Sequence, residues 1–114
     1  MSARREAGLW LAQRVTAAIL AVCVVVHLVT IIYAVRGGLS AADILGRTRG
    51  SLVWGSFYTI FVLAAAIHGA IGLRTVAAEW LGFRGAAAAW SMTGIALVLA
   101  LVGMRAVVAV VGAP

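Results

Sequence analysis

Three long stretches without a charged residue divide this 114-residue sequence. They cover residues 15–35, 50–73 and 85–104, and each lies between arginines. Each is about as long as the roughly 20 residues that an α-helix needs to cross the hydrocarbon core of a bilayer. Backbone polar groups in lipid must be satisfied within the segment, so such stretches fold as helices. The pattern predicts an all-α chain, a single membrane-anchor domain over residues 1–114, with transmembrane helices at about 12–36, 51–74 and 85–111.

The composition agrees with this interpretation. Hydrophobic residues make up 65% of the sequence and charged residues 11%, whereas soluble domains carry about 25% charged residues. The basic residues are all arginines, and with Glu6, Asp43 and Glu79 they fall almost wholly outside the apolar stretches. The net charge of +6 is therefore expected to face lipid headgroups, and we predict a lipid bilayer and no nucleic acid as a partner.

The arginines also predict an orientation. The N-terminal side would carry five of them and the opposite side four: Arg4, Arg5, Arg14, Arg74 and Arg84 against Arg36, Arg47, Arg49 and Arg105. This small excess favours a cytoplasmic N-terminus. No small-residue cleavage site follows a short apolar core, so we expect the first span to be retained. We expect no water-soluble domain and no catalytic site of the chain's own, since no hydroxyl–His–carboxylate set or phosphate loop is present.

Two histidines, His27 and His68, lie well inside the predicted spans. Ionisable side chains are costly in lipid, so each is expected to have a partner or a function. One interpretation is that each forms a hydrogen bond to a neighbouring helix. The other is axial ligation of haem iron by a neutral imidazole whose second nitrogen donates to a backbone carbonyl. Cys23 is the one cysteine, so any haem would be held noncovalently.

The neighbours of His68 favour the second interpretation. Ala64, Ala65 and Gly72 lie three or four residues away on the same helical face, where a macrocycle edge would need small side chains. Small residues also permit close helix packing without haem, so both interpretations remain open. His27 has larger neighbours on its own face, and its local sequence does not decide between the two.

The two histidines are predicted to lie at different depths. At 1.5 Å per residue, His27 lies about 3 Å past the middle of span one and His68 about 10 Å past the middle of the antiparallel span two. They would be separated in depth by about 13 Å, on opposite sides of the midplane. Axial bonds of about 2 Å cannot join both to one iron. If both bind haem, they bind different haems, and a second anchor chain or a second copy of this one supplies the other ligands.

Two arginines lie toward the side on which His68 is expected. Arg14 begins span one there, and Arg74 follows His68 by six residues, about 9 Å of helix. Both are candidates for contacts with haem propionates. The alternative for each is snorkelling into the lipid headgroups, which is the commoner role of a single arginine at a helix end.

A small proton-coupled transporter is an alternative class for a short, basic membrane protein. Such transporters need a carboxylate inside the membrane and usually have four spans. Here Glu6, Asp43 and Glu79 all lie outside the three uncharged stretches. This makes the transporter a weaker hypothesis than a haem-binding membrane protein or a haem-free structural one.

The first two spans together carry a family resemblance. Span one opens with Gln13-Arg14-Val15-Thr16 and continues to His27, and span two contains His68, Gly72 and Arg74 in an H-x-x-x-[GA]-x-R pattern. In this order, in a three-span chain, these elements resemble the membrane-anchor cytochrome b subunits of the succinate dehydrogenase and fumarate reductase family.

The resemblance implies a haem b-binding anchor in a bacterial cytoplasmic membrane, part of a larger transmembrane haem-binding helical bundle. It would dock iron-sulfur and flavoprotein subunits on the cytoplasmic face and exchange electrons with quinone. His68 would be an axial ligand of one haem and His27 of a second, with Arg14, Arg74 and Gly72 also contacting the cofactor.

The resemblance also implies quinone contacts, with one departure from the family pattern. Family members often have an Asp-Tyr pair after the second helix, the tyrosine serving quinone, whereas this chain has Glu79-Trp80. An indole N–H only donates, so Trp80 cannot reproduce the phenol. The residues that the resemblance implies for quinone are Arg14, Thr16, Glu79 and Trp80.

Overall fold

A computed structural model describes residues 2–112 as four α-helices. They are α1 (Ala3–Arg36), α2 (Ala41–Thr48), α3 (Leu52–Leu81) and α4 (Ala86–Val111). No strand occurs within the described residues. Three of the helices, α1, α3 and α4, are long and apolar enough to cross a membrane. The prediction of an all-α chain with three transmembrane helices is confirmed.

Helix α3 lies between α1 and α4 and packs against both of them. Its side chains at the contacts are small, and Ala64, Ala66 and Ala70 are all buried. On the α4 side a Cβ on Gly103 would overlap the side chain of Val62, so these two helices approach closely there. Association of helices in lipid relies on such close packing, because burial in lipid gives no hydrophobic driving force between them.

The long helices extend further at the N-terminal end of the bundle than the hydropathy pattern predicts. The N-cap of α1 is Ser2, whose side chain accepts a hydrogen bond from the backbone N–H of Arg5. α3 continues past Arg74 to Leu81, through most of the segment expected to be a loop, and ends at Gly82 in the left-handed conformation. α1 contains 34 residues, which is about 51 Å of helix against a hydrocarbon core of about 30 Å. Hydropathy marks the part of a helix that lies in lipid, whereas caps set where the helix ends.

The first loop contains a short helix, α2, that the sequence analysis did not predict. A capping box starts it: Ser40 accepts from the N–H of Asp43, and the N–H of Ser40 donates to the Asp43 carboxylate. The hydrogen bond from the Ser40 N–H to the carboxylate is the main reason that the pKa of Asp43 lies below its ordinary value. The signal in the sequence was Ser-x-x-Asp before an apolar residue, a variant of the usual capping box.

Helix α2 covers the C-terminal end of α4. The Thr48 hydroxyl, in a residue only 6% exposed, donates to the carbonyl oxygen of Val110 at 2.7 Å. The N–H of Gly50 donates to the carbonyl oxygen of Val111 at 2.9 Å. The last carbonyls of a helix have no partner within it, so these bonds satisfy two groups that otherwise need water.

Candidate functional site

His68 lies on the side of α3 that faces α1. Its Nδ1 is 3.3 Å from the hydroxyl oxygen of Thr16. Thr16 is only 7% exposed, and its hydroxyl also lies 2.7 Å from the carbonyl oxygen of Ala12, one turn earlier in α1. His68 itself is half-buried. A residue implied to contact quinone, Thr16, is thus a hydrogen-bond partner of the implied haem ligand.

The small residues around His68 differ in what they face. Ala64 is buried and Ala65 is exposed. A Cβ on Gly72 would lie 3.4 Å from the side-chain nitrogen of Gln13. Gly72 therefore faces α1 at ordinary van der Waals distance, and Ala65 is the member of the set that leaves surface open beside His68.

His27 lies at a different level of the same helix pair. Its Nδ1 is 3.5 Å from the hydroxyl oxygen of Tyr58. The rings of Tyr58 and Phe61 stand edge-on to the imidazole, with centroids 5.8 and 5.6 Å away. Tyr58 lies near the start of α3 and is of a residue type enriched at membrane interfaces, and sequence reasoning did not pair it with His27. Comparing depths along the antiparallel spans could have placed Tyr58 near His27.

The structure does not bring the two histidines together. Thr16 marks the level of His68, and Tyr58 marks the level of His27. Tyr58 and His68 are ten residues apart on α3, which is about 15 Å of helix. This agrees with the separation of about 13 Å expected from the sequence. One metal ion therefore cannot join both imidazoles of this chain.

A groove of about 520 Å³ opens beside His27. It lies between α1, α2 and the start of α3, and most of its lining is apolar. Tyr33 and Arg47 are among its polar lining residues. The guanidinium of Arg47 donates to the Tyr33 hydroxyl at 3.4 Å and lies over its ring. This groove is at the opposite end of the bundle from Arg74.

The two arginines implied for the cofactor occupy different surroundings. Arg14 is exposed, and its guanidinium carbon lies 5.4 Å from the centre of the Trp10 ring. Arg74 is half-buried and lines grooves between the N-terminal parts of α1 and α4 and the later part of α3. Both are at the end of the bundle nearer to His68. Arg74 follows His68 by six residues on α3, about 9 Å of helix.

One of these grooves, of about 460 Å³, is lined by Arg74, Trp10, Gln13 and Thr75 among others. The side-chain oxygen of Gln13 is buried and makes no hydrogen bond within residues 2–112. Buried polar atoms are nearly always paired, so an unpaired acceptor indicates a place where a ligand, water or partner could donate. Sequence reasoning used Gln13 only as part of a motif and missed this feature.

Glu79 and Trp80 lie on the last turns of α3, and Trp80 is 81% exposed. The helix separates them from His68 by about 17 Å. Thr16 is buried at the level of His68. The four residues implied for quinone are therefore not brought into one cluster within this chain.

A family model matches residues 1–110, and its description is succinate dehydrogenase/fumarate reductase transmembrane subunit. The chain belongs to this family. The family resemblance found in the first two spans is thus confirmed and extends over nearly the whole chain. No curated protein and no solved structure matches it. The chain is a multi-pass membrane protein, because its three long helices are apolar enough to span a bilayer.

Proposed function

We propose that this subunit binds haem b and transfers electrons between the iron-sulfur subunit of its complex and membrane quinone. The observation that carries the proposal is the half-buried His68 imidazole inside the apolar helix pair, with Nδ1 facing the Thr16 hydroxyl. Ionisable side chains are energetically costly inside a membrane, and those that occur there usually mark a functional site. Membership in the family supports an anchor role in a complex with iron-sulfur and flavoprotein subunits.

The donor groups fit a noncovalently bound haem. Imidazole ligands of haem iron are neutral, and the nitrogen that does not ligate is normally hydrogen-bonded. His68 has such a partner at Nδ1, and no hydrogen bond from residues 2–112 reaches its Nε2. A haem held there would supply a one-electron carrier inside the membrane. Arg14 and Arg74, at the same end of the bundle, would offer cations to its propionates.

Each haem would need a second ligand from outside this chain. His27 and His68 are about 15 Å apart along the helices, so they would serve two different haems. Most of the apolar side chains of α1 are exposed in the isolated chain. That surface is available to a second anchor chain or a second copy of this one, which would supply the remaining axial ligands.

The end of the bundle that contains the N-terminus is the proposed cytoplasmic side, in a bacterial cytoplasmic membrane. The iron-sulfur and flavoprotein subunits would dock there, beside the exposed Glu79 and Trp80. The groove between Arg74 and Gln13 offers an apolar wall, a cation for a quinone carbonyl and an unpaired acceptor for a quinol hydroxyl in one place. Arg14 and Trp80 would border this groove in the assembled complex. Thr16 would act on it only indirectly, through its contact with His68.

A haem-free structural anchor is the second candidate, and the packing around Gly72 favours it. A Cβ at Gly72 would lie 3.4 Å from the side chain of Gln13, so this position faces α1 of the same chain and not open space. In that case the bond between Thr16 and His68 would only join the two helices, as polar residues in membrane helices often do.

The two candidate functions predict different absorption spectra. The complex should be purified through a tag on this chain, its polypeptides identified, and its reduced-minus-oxidised absorption spectrum recorded. Haem binding predicts the bands of a b-type cytochrome together with copurifying iron-sulfur and flavin subunits. The same subunits without those bands would establish the haem-free anchor. Bands without those subunits would contradict the assigned place in the complex.

A further inference from the structure

The hydrogen bonds of Thr16 determine which nitrogen of His68 carries the proton. The Thr16 hydroxyl oxygen is 2.7 Å from the carbonyl oxygen of Ala12 and 3.2 Å from that of Gln13. Carbonyl oxygens only accept, and a hydroxyl has one proton to donate. A separation of 2.7 Å is the usual length of an O–H···O bond. The hydroxyl proton is therefore directed along α1 to Ala12.

The contact with His68 must then run in the opposite direction. With its proton committed to Ala12, the Thr16 oxygen offers only lone pairs to the imidazole. Nδ1 lies 3.3 Å away and can bond to it only as an N–H donor. Donation from the hydroxyl to Nδ1 instead would leave two acceptor oxygens 2.7 Å apart with no proton between them.

We propose that Thr16 is a positioning residue that holds neutral His68 with its proton on Nδ1 and thereby presents the Nε2 lone pair to haem iron. This inference rests on the proposed haem-binding function. It replaces the backbone carbonyl expected as the partner of Nδ1 with a side-chain hydroxyl of the neighbouring helix. A partner that accepts a hydrogen bond from the nitrogen that does not ligate fixes the ring orientation and raises the basicity of the ligating nitrogen.

The surroundings of Thr16 make this role difficult to replace. The residue is almost fully buried between α1 and α3, where little water can substitute for a lost acceptor. Its β-branched side chain has few rotamers, and the bond to Ala12 selects among them. The hydroxyl is thus held in place before any cofactor binds.

Thr16→Val removes the acceptor and keeps the shape, while Thr16→Ser keeps the acceptor. The control is Thr93→Val on α4, which deletes an exposed hydroxyl that donates to Ala89 within its own helix. Loss of the hydrogen-bond partner of a ligating histidine typically weakens binding about 10- to 100-fold. In the intact complex, we expect Thr16→Val to bind haem more weakly by this factor and to have a higher midpoint potential. Both quantities should return toward the wild-type values in Thr16→Ser and should not change in the control.

A second readout does not depend on haem. Nitrogen NMR of the full chain, with ¹⁵N-labelled histidine and reconstituted in lipid, reports whether Nδ1 or Nε2 of His68 is protonated. We expect protonated Nδ1 in wild type and Thr16→Ser, and a mixture of tautomers in Thr16→Val. Protonated Nε2 in the wild-type chain would overturn the inference, even if Thr16→Val failed to assemble. Unchanged haem affinity, potential and tautomer in Thr16→Val would overturn it too.

These outcomes separate the inference from the proposed function. A wild-type complex that lacks haem refutes the function, while the NMR result still decides the hydrogen bond. A wild-type complex that contains haem, with Thr16→Val indistinguishable from it, refutes only the role of Thr16.

Discussion

The hydroxyl oxygen of Thr16 lies 3.3 Å from Nδ1 of His68 and links α1 to α3 inside the bundle. A matching polar contact joins the same helices about 15 Å away, where the Tyr58 hydroxyl faces His27. Each histidine is therefore tied to the opposite helix at its own level. This geometry gives the chain two separate places at which an imidazole could ligate a cofactor.

Gly103→Ala should weaken the packing of α3 against α4. The added methyl would overlap the side chain of Val62, and overpacking of this kind costs about 1–3 kcal/mol. Thermal unfolding of the detergent-solubilised chain, followed by circular dichroism, measures the effect. Gly94→Ala on the same helix is the control, because nothing lies within 4 Å of its Cβ position.

The double variant Gly103→Ala with Val62→Ala makes the test specific. Removing the methyl groups of Val62 clears the space that the new Cβ needs, so part of the lost stability should return. Equal stability of Gly103→Ala and Gly94→Ala would mean that the two helices do not approach as closely as described.

Thr48→Val should loosen the cover that α2 forms over the end of α4. The substitution deletes the hydrogen bond to the Val110 carbonyl and leaves that part-buried acceptor without this partner, at a cost of about 1–3 kcal/mol. Hydrogen exchange should show faster exchange at the Gly50 N–H, which donates to the neighbouring carbonyl of Val111. An exchange rate of the Gly50 N–H equal to that in wild type would contradict this contact between α2 and the end of α4.

Acidification should destabilise α2. The N–H of Ser40 is the main cause of the lowered pKa of Asp43, and the Ser40 hydroxyl and Arg47 act in the same direction. Because the pKa is depressed in the folded state, the ionised carboxylate stabilises α2 above the ordinary pKa of 3.8. That contribution is lost as pH falls through the folded-state value.

An NMR titration of the Asp43 carboxyl checks this expectation. The pKa should lie below 3.8 in wild type and move toward it in Ser40→Gly, which keeps the backbone N–H but removes the hydroxyl. A wild-type pKa at or above the ordinary value would contradict the capping box.

The transmembrane helices were predictable because charge is excluded from lipid, so arginines mark the ends of each span. The separation of His27 and His68 followed from counting residues along antiparallel helices, and the expected value of about 13 Å agrees with the roughly 15 Å of helix between Tyr58, the partner of His27, and His68. The extension of α3 to Leu81 was not predictable in this way, since a helix that leaves the membrane carries charges such as Glu79 without ending.

Side-chain pairing between helices was the other part that the sequence could not provide. Thr16 was assigned to quinone from the family resemblance, whereas the structure turns its hydroxyl toward Ala12 and His68. Which residues face each other depends on the rotation of each helix about its axis, and the apolar pattern leaves that rotation undetermined when lipid surrounds most of the surface. The position of Gly72 opposite the Gln13 side chain was hidden for the same reason.

The ratio of haem b to this chain should be measured in purified complexes of wild type, His68→Ala and His27→Ala. We expect His68→Ala to lose the haem that wild type binds at this level, and His27→Ala to retain that haem and lose only the second one. Assembly with the soluble subunits should persist in both variants. Full haem content in His68→Ala, in an assembled complex, would contradict the account.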